Sequence, residues 1–131
     1  MGVFNPIEAK FSTISPGASL GELVNVISRS ARNVFPVVDD DNKFLGVVWE
    51  NDIRHLVFKP ELYDNIYVNE LMFMPEPTVS VHESMEDVAY KFQTSSHYNL
   101  PVLDEGRYVG FVSRANVFSK YRLMIRNFME E

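Results

Sequence analysis

The chain states one pattern twice, and that repetition limits its folds more than any other feature. Asn33-Val34-Phe35-Pro36-Val37-Val38-Asp39 returns as Tyr98-Asn99-Leu100-Pro101-Val102-Leu103-Asp104, with Pro36 and Pro101 separated by 65 positions. Upstream, Leu20, Leu23, Val24 and Ile27 fall at i, i+3, i+4 and i+7, the spacing of one helix face. The same offset leads to Met85, Val88, Ala89 and Phe92, which repeat that face. Ser19 with Glu22, and Ser84 with Asp87, stand at N-cap and N3 spacing ahead of the two helices. Downstream, Phe44-Leu45-Gly46-Val47-Val48 matches Tyr108-Val109-Gly110-Phe111-Val112 with the glycine offset reduced to 64. The lost residue falls where Asp39-Asp40-Asp41-Asn42-Lys43 becomes Asp104-Glu105-Gly106-Arg107, and a hairpin loop tolerates such a deletion.

Each copy therefore reads as strand, helix, strand, turn, strand, helix. The first copy places these elements at residues 11–14, 19–30, 34–38, 44–48 and 51–58, and the second at 78–81, 84–95, 100–103, 108–112 and 114–128. The strands are nearly continuous apolar runs, which predicts burial on both faces. Pro60 ends the last helix of the first copy, whereas its counterpart continues through Val117, Tyr121, Met124, Ile125 and Phe128 at helical spacing. Residues 59–77 join the copies; their cluster Ile66, Val68, Leu71 and Met72 predicts a packed connector. The resulting division is an N-terminal segment at 1–10, a first repeat at 11–67 and a second repeat with an extended helix at 68–131.

Composition narrows the function. Twelve Lys and Arg against eighteen Asp and Glu leave a net charge of −6, which argues against a nucleic-acid partner that needs a basic face. The absence of cysteine excludes disulfides, thiolate metal sites and thiol catalysis. No apolar run approaches the ~20 residues that span a bilayer, and the N-terminus lacks a signal-peptide profile, so a soluble, non-inserting chain is expected.

The repeated "apolar-Pro-Val-Val/Leu-Asp" before a turn and "apolar-Gly-apolar-Val" after it resemble the CBS domain. Val68-Asn69-Glu70-Leu71-Met72 resembles that family's usual lead-in to a copy. The resemblance runs from about Phe11 to Tyr121. It implies an α+β fold of two β-α-β-β-α repeats about a pseudo-twofold axis, a Bateman module. Such modules are regulatory parts of larger proteins, commonly dimerise, and often bind adenosine nucleotides. The wording Arg32–Asp39, Asn51-Asp52-Ile53-Arg54, 58–64 and Phe118-Ser119-Lys120-Tyr121-Arg122 further resembles the cytoplasmic tail of bacterial ClC-type chloride channels. In that setting the module follows the last membrane helix and ends the protein, with which a stop at Glu131 agrees. A cytoplasmic module attached to a membrane transport domain is the resulting expectation.

In the family a Gly-x-x-Ser/Thr-x-x-Asp pattern holds the ribose through its Asp and meets phosphate at a helix N-terminus. Here Gly46-Val47-Val48-Trp49-Glu50-Asn51-Asp52 keeps the Asp but has Trp49 for the hydroxyl. Gly110-Phe111-Val112-Ser113-Arg114-Ala115-Asn116 keeps the hydroxyl but has Asn116 for the Asp. By the resemblance, one cleft uses Thr13, Arg32, Asn33, Val34 and Pro36 with Ser113 and Asn116. The other uses Thr78, His97, Asn99 and Pro101 with Trp49 and Asp52. The same residues have a structural reading: Ser113 caps the last helix, Asp52 complements a helix dipole, and Trp49 fills core. Weak binding of AMP, ADP or ATP is expected, or else no ligand and a purely structural dimerisation module.

Other constellations carry less. The stretch from Asp39 to Glu50 has acids at both ends, but Lys43 and Phe44 stand where a calcium loop needs an oxygen ligand and a glycine. His55, His82 and His97 share no metal-ligand spacing, so no metal is expected. No catalytic constellation emerges, and the chain is read as not an enzyme. Arg114, Lys120, Arg122 and Arg126 on the last helix read as a solvated face. The stripe residues Leu20, Leu23, Ile27, Met85, Phe92, Val117, Tyr121 and Ile125 exceed what one copy's helices are expected to cover, so some should meet a second protomer in a homodimer.

Overall fold

A computed structural model describes Ile7 and residues 11–129. It separates into two compact units, one built on each copy. Of the described residues, the first holds 11–75 with 106–108, and the second holds Ile7, 76–105 and 109–129.

In the first unit, helix α1 (Leu20–Arg29) opens on a complete capping box. The Glu22 N–H donates to Ser19 Oγ at 3.2 Å, and the Ser19 N–H donates to Glu22 Oε1 at 2.9 Å. Strands β1 (Val34–Val38) and β2 (Phe44–Trp49) form an antiparallel hairpin whose register pairs Val34 with Trp49 and Pro36 with Val47. Its turn is held by Asp39, whose Oδ1 accepts from the N–H groups of Asp41 and Lys43, both at 2.9 Å. Asn42 takes the left-handed conformation (φ 65°), which asparagine tolerates well. Helix α2 (Glu50–Val57) follows β2 directly. The core gathers Ile14, Leu20, Leu23, Phe35, Val37, Val48, Ile53 and Val68. Fully burying side chains of this kind contributes about 1.5–3 kcal/mol each before entropy is counted.

The predicted first strand is reduced to a single parallel bridge between Ile14 and Val37. The connector is packed, as its apolar cluster predicts. Its carbonyls at Ile66 and Tyr63 accept from the N–H groups of Leu20 (2.7 Å) and Gly21 (3.1 Å), and Val68 donates to Ala18 O at 2.9 Å. Val68 is wholly buried, and the unit extends through Pro75, past the division at 67/68 that the repeat marks. Phe73 closes the free edge of β2 by exchanging hydrogen bonds with Val47 at 2.8 and 3.0 Å. Gly106–Tyr108 also belong to this unit: the Phe44 N–H donates to Gly106 O at 2.9 Å, and the Phe44 and Tyr108 rings stack at 6.1 Å.

In the second unit, β3 (Val79–Ser80) runs parallel to β4 (Asn99–Asp104), which neighbours β5 (Arg107–Ser113). Helix α3 (Met85–Thr94) buries Met85, Val88, Ala89 and Phe92, the stripe expected from the repeat. Its cap is one-sided: Ser84 Oγ accepts from the Asp87 N–H at 3.1 Å. Asp87 is one methylene shorter than the glutamate of the first copy. Ile7 packs against this core, so one described residue of the 1–10 segment joins the second copy's unit. Helix α4 (Arg114–Met129) buries Val117 and leaves Leu123, Met124, Ile125 and Phe128 exposed.

Of the eight stripe residues, five lie in the cores of their own units and three do not. Leu20, Leu23, Met85, Phe92 and Val117 are consumed by the cores of their own units, because each hairpin presents an apolar face that those side chains fill. Of that set, Ile125 is exposed and Ile27 and Tyr121 are half-buried. No described helix is long and apolar enough to cross a membrane.

Candidate functional site

The two hairpins deliver the candidate residues in the same way. In the first unit, the Ile14 N–H donates to Pro36 O at 2.9 Å and Ile14 O accepts from Val38 at 3.0 Å. This pair sets exposed Thr13 beside buried Pro36 on β1. Asn33 O accepts from the Glu50 N–H at 2.9 Å, which ties the start of β1 to the first residue of α2. Arg32, Asn33 and Val34 are thereby gathered with Trp49 and Asp52 at one end of the hairpin, although the resemblance divides these residues between two clefts.

The second unit repeats the joint, with the Arg114 N–H donating to Tyr98 O at 2.8 Å. His97 and Asn99, both exposed, are gathered with Ser113 and Asn116 at the corresponding end of β4 and β5. Pro101 is buried in the centre of β4 and Thr78 is half-buried just ahead of β3.

The signature residues differ in how the backbone uses them. Ser113 caps α4: its Oγ accepts from the Asn116 N–H at 3.1 Å, which leaves the hydroxyl proton free to donate. Asn116 is exposed in the first turn. Trp49 occupies the corresponding N-cap of α2 without a side-chain cap bond and is half-buried. Asp52 is exposed in that helix's first turn beside Glu50. Glu50 Oε2 accepts from Arg54 Nε at 3.1 Å, and this bond lowers the Glu50 carboxyl below its ordinary value and raises Arg54. The Arg32 guanidinium lies 4.4 Å above the Phe11 ring, a cation–π contact. Burial raises the Tyr108 phenol above its ordinary range, and the positive charge of Arg32 opposes that shift.

Two features were not visible in the sequence. Lys91 Nζ donates to Thr78 O at 2.7 Å and to Glu83 Oε1 at 2.6 Å, so it positions a candidate residue from thirteen positions away. Arg114, read as part of a solvated face, is half-buried and donates from Nη1 to Phe92 O at 3.0 Å. Neither contact has a local spacing signal, because each joins residues that only the closed unit brings together. His82 lies 3.6 Å from Asp104, both exposed, and His55 is an exposed residue of α2. Among the described residues, no group of three or more His, Asp or Glu side chains could hold a metal ion.

The chain is 26% identical over 116 residues to homoserine O-acetyltransferase of Methanococcus vannielii, covering 88% of this chain but only 24% of that protein. The CBS-pair protein CBSX2 of Arabidopsis thaliana superposes with a TM-score of 0.71 at 22% identity, over 96% of this chain and 99% of that one. CBSX2 has also been solved in complex with AMP. The CBS domain of a bacterial CNNM/CorC family Mg2+ transporter, solved in complex with ATP, gives a TM-score of 0.71 at 17% identity, over 86% and 81% of the two chains. At these identities the likeness to solved structures speaks for the fold. The CBS-domain family model matches residues 6–59 and again residues 68–122. Two successive matches that take in most of the chain, on two copies of one α+β unit, establish that this protein belongs to the CBS domain family and carries a tandem pair.

Proposed function

We propose that the chain is the non-catalytic regulatory module of a larger membrane transport protein, lying on its cytoplasmic side and sensing adenine nucleotide weakly. The observation that carries this reading is the state of the two signatures. Ser113 retains a donor at a helix N-terminus and Asp52 retains an exposed carboxylate, yet neither copy holds both groups. Solved relatives in complex with AMP and ATP, one of them from a Mg2+ transporter, support both the ligand class and the transport setting. The transport domain we favour is a ClC-type chloride channel, a choice that rests on the sequence wording around Arg32–Asp39 and Phe118–Arg122. The acetyltransferase activity of the M. vannielii relative is not carried over, since the chain spans a quarter of that protein.

A ligand regulates such a module only by binding one arrangement better than another. Thermal unfolding with AMP, ADP and ATP tests the proposal. By mass action, a ligand at a hundred times its dissociation constant adds about 2.7 kcal/mol, so a melt that rises only at millimolar nucleotide is expected. No rise with any of the three would favour a second reading, a structural homodimerisation module. The exposed stripe Leu123, Met124, Ile125 and Phe128 on α4 speaks for that reading.

A further inference from the structure

On the second unit, a groove of about 560 Å³ is lined by Gln93, Tyr98, Arg114, Phe118, Ser119 and Arg122. None of these residues belongs to either candidate cleft. Arg114, Phe118 and Arg122 follow one another at i, i+4 and i+8 along one face of α4, an alternation of cation, ring and cation. Arg114 is fixed at one end by Phe92 O and by its place 5.7 Å over the Phe118 ring. A guanidinium has five N–H donors, so most of its fork remains available. Arg122 is exposed, and among the described residues neither arginine pairs with a carboxylate. That is notable on a chain of net charge −6. The Tyr98 ring, 75% exposed, adds a second aromatic wall, and Gln93 and Ser119 add an amide and a hydroxyl.

We propose that this groove binds a small aromatic anion, a ring carrying a phosphate or carboxylate. The anionic group accepts from the guanidinium forks, which match such oxygens bidentately, and the ring packs against Tyr98 and Phe118. The volume lies within the roughly 300–1,000 Å³ of small-molecule pockets. The groove adjoins the second unit's candidate residues through the Tyr98–Arg114 joint, and Ser119 and Arg122, further along α4, tell binding here from binding there.

Titration of the isotopically labelled protein with phenyl phosphate, followed by amide resonances, tests it, with inorganic phosphate and benzyl alcohol as separate arms. The expected result is saturable shifts at Tyr98, Arg114, Ser119 and Arg122 at millimolar phenyl phosphate. Each half-ligand should bind at least about fivefold more weakly. Arg122→Gln should weaken phenyl phosphate about tenfold or more, the loss of one charge-assisted contact. Lys120→Gln, an equal change of charge outside the groove, should leave it unchanged. Absence of saturable shifts, shifts confined to residues outside the groove, or equal binding by Arg122→Gln and the unmodified protein would each overturn the proposal.

Discussion

The Lys91 ammonium lies 2.6 Å from Glu83 Oε1 and, through the same nitrogen, 2.7 Å from the Thr78 carbonyl oxygen. Glu83 Oε1 also accepts from the Ser80 N–H at 2.8 Å. One carboxylate and one ammonium thus fasten the short strand β3 to the middle of α3. Only two residues of β3 pair with β4, so the ladder alone holds that strand weakly. Lys91→Met should lower unfolding stability by about 1.5–3 kcal/mol, because it removes charged hydrogen bonds and strands a half-buried carboxylate. Glu83→Gln should cost less, since its amide oxygen still accepts from Ser80. Urea unfolding of the three proteins measures the order.

Gly46 is required by a close approach of backbone. It sits at φ +153°, and a Cβ there would lie 2.6 Å from Phe73 O, the carbonyl that closes the edge of β2. Backbone cannot swing aside as a side-chain tip can. Gly46→Ala should destabilise by about 2–3 kcal/mol. Gly17→Ala is the control, with Ser15 Oγ at 3.9 Å as its nearest neighbour, and should change stability by less than about 0.5 kcal/mol.

Nucleotide affinity should follow the two departures from the family signature. Asn116 has one oxygen to offer a ribose diol, so Asn116→Asp restores an acceptor and a charge and should strengthen binding about ten- to a hundredfold. The new carboxylate also lies in the first turn of α4, where it adds about 0.3–1 kcal/mol of helix stability. Asp52→Ala should abolish binding that depends on the first copy's carboxylate. Calorimetry with AMP on each variant reads both effects. Low-micromolar binding by the unmodified protein would contradict the weak affinity proposed, set at roughly 100 μM or above.

Tyr108 should make the fold sensitive to alkali. Its folded phenol titrates above the ordinary tyrosine value because burial disfavours the phenolate. The neutral form is thus preferred in the folded state. The stability this contributes is fully present below the unfolded value near about 10, and is lost as pH rises from there through the folded value. Tyr108→Phe keeps the ring against Phe44 and should flatten the alkaline decline. Ultraviolet titration should show one tyrosine fewer in the late-titrating class.

Much of the fold was legible because it is written twice. The stripe Met85, Val88, Ala89 and Phe92 lines a core as the first stripe predicts, and Ser19 and Ser84 cap the helices they precede. Ser113 likewise caps α4 where its position announces a cap. These are local regularities, decided by hydrogen bonds and apolar faces within one or two turns. Tertiary structure decided the rest. Leu20 and Phe92 went into their own units' cores, while Ile125 stayed exposed. Ile7 joined the second copy's unit and Gly106–Tyr108 the first. Lys91 found Thr78, and Arg114 found Phe92 O and lines a groove with Tyr98. Sequence spacing constrains neighbours along one helix or strand; which distant surfaces meet depends on how closed units fill their volume, and periodicity does not encode that.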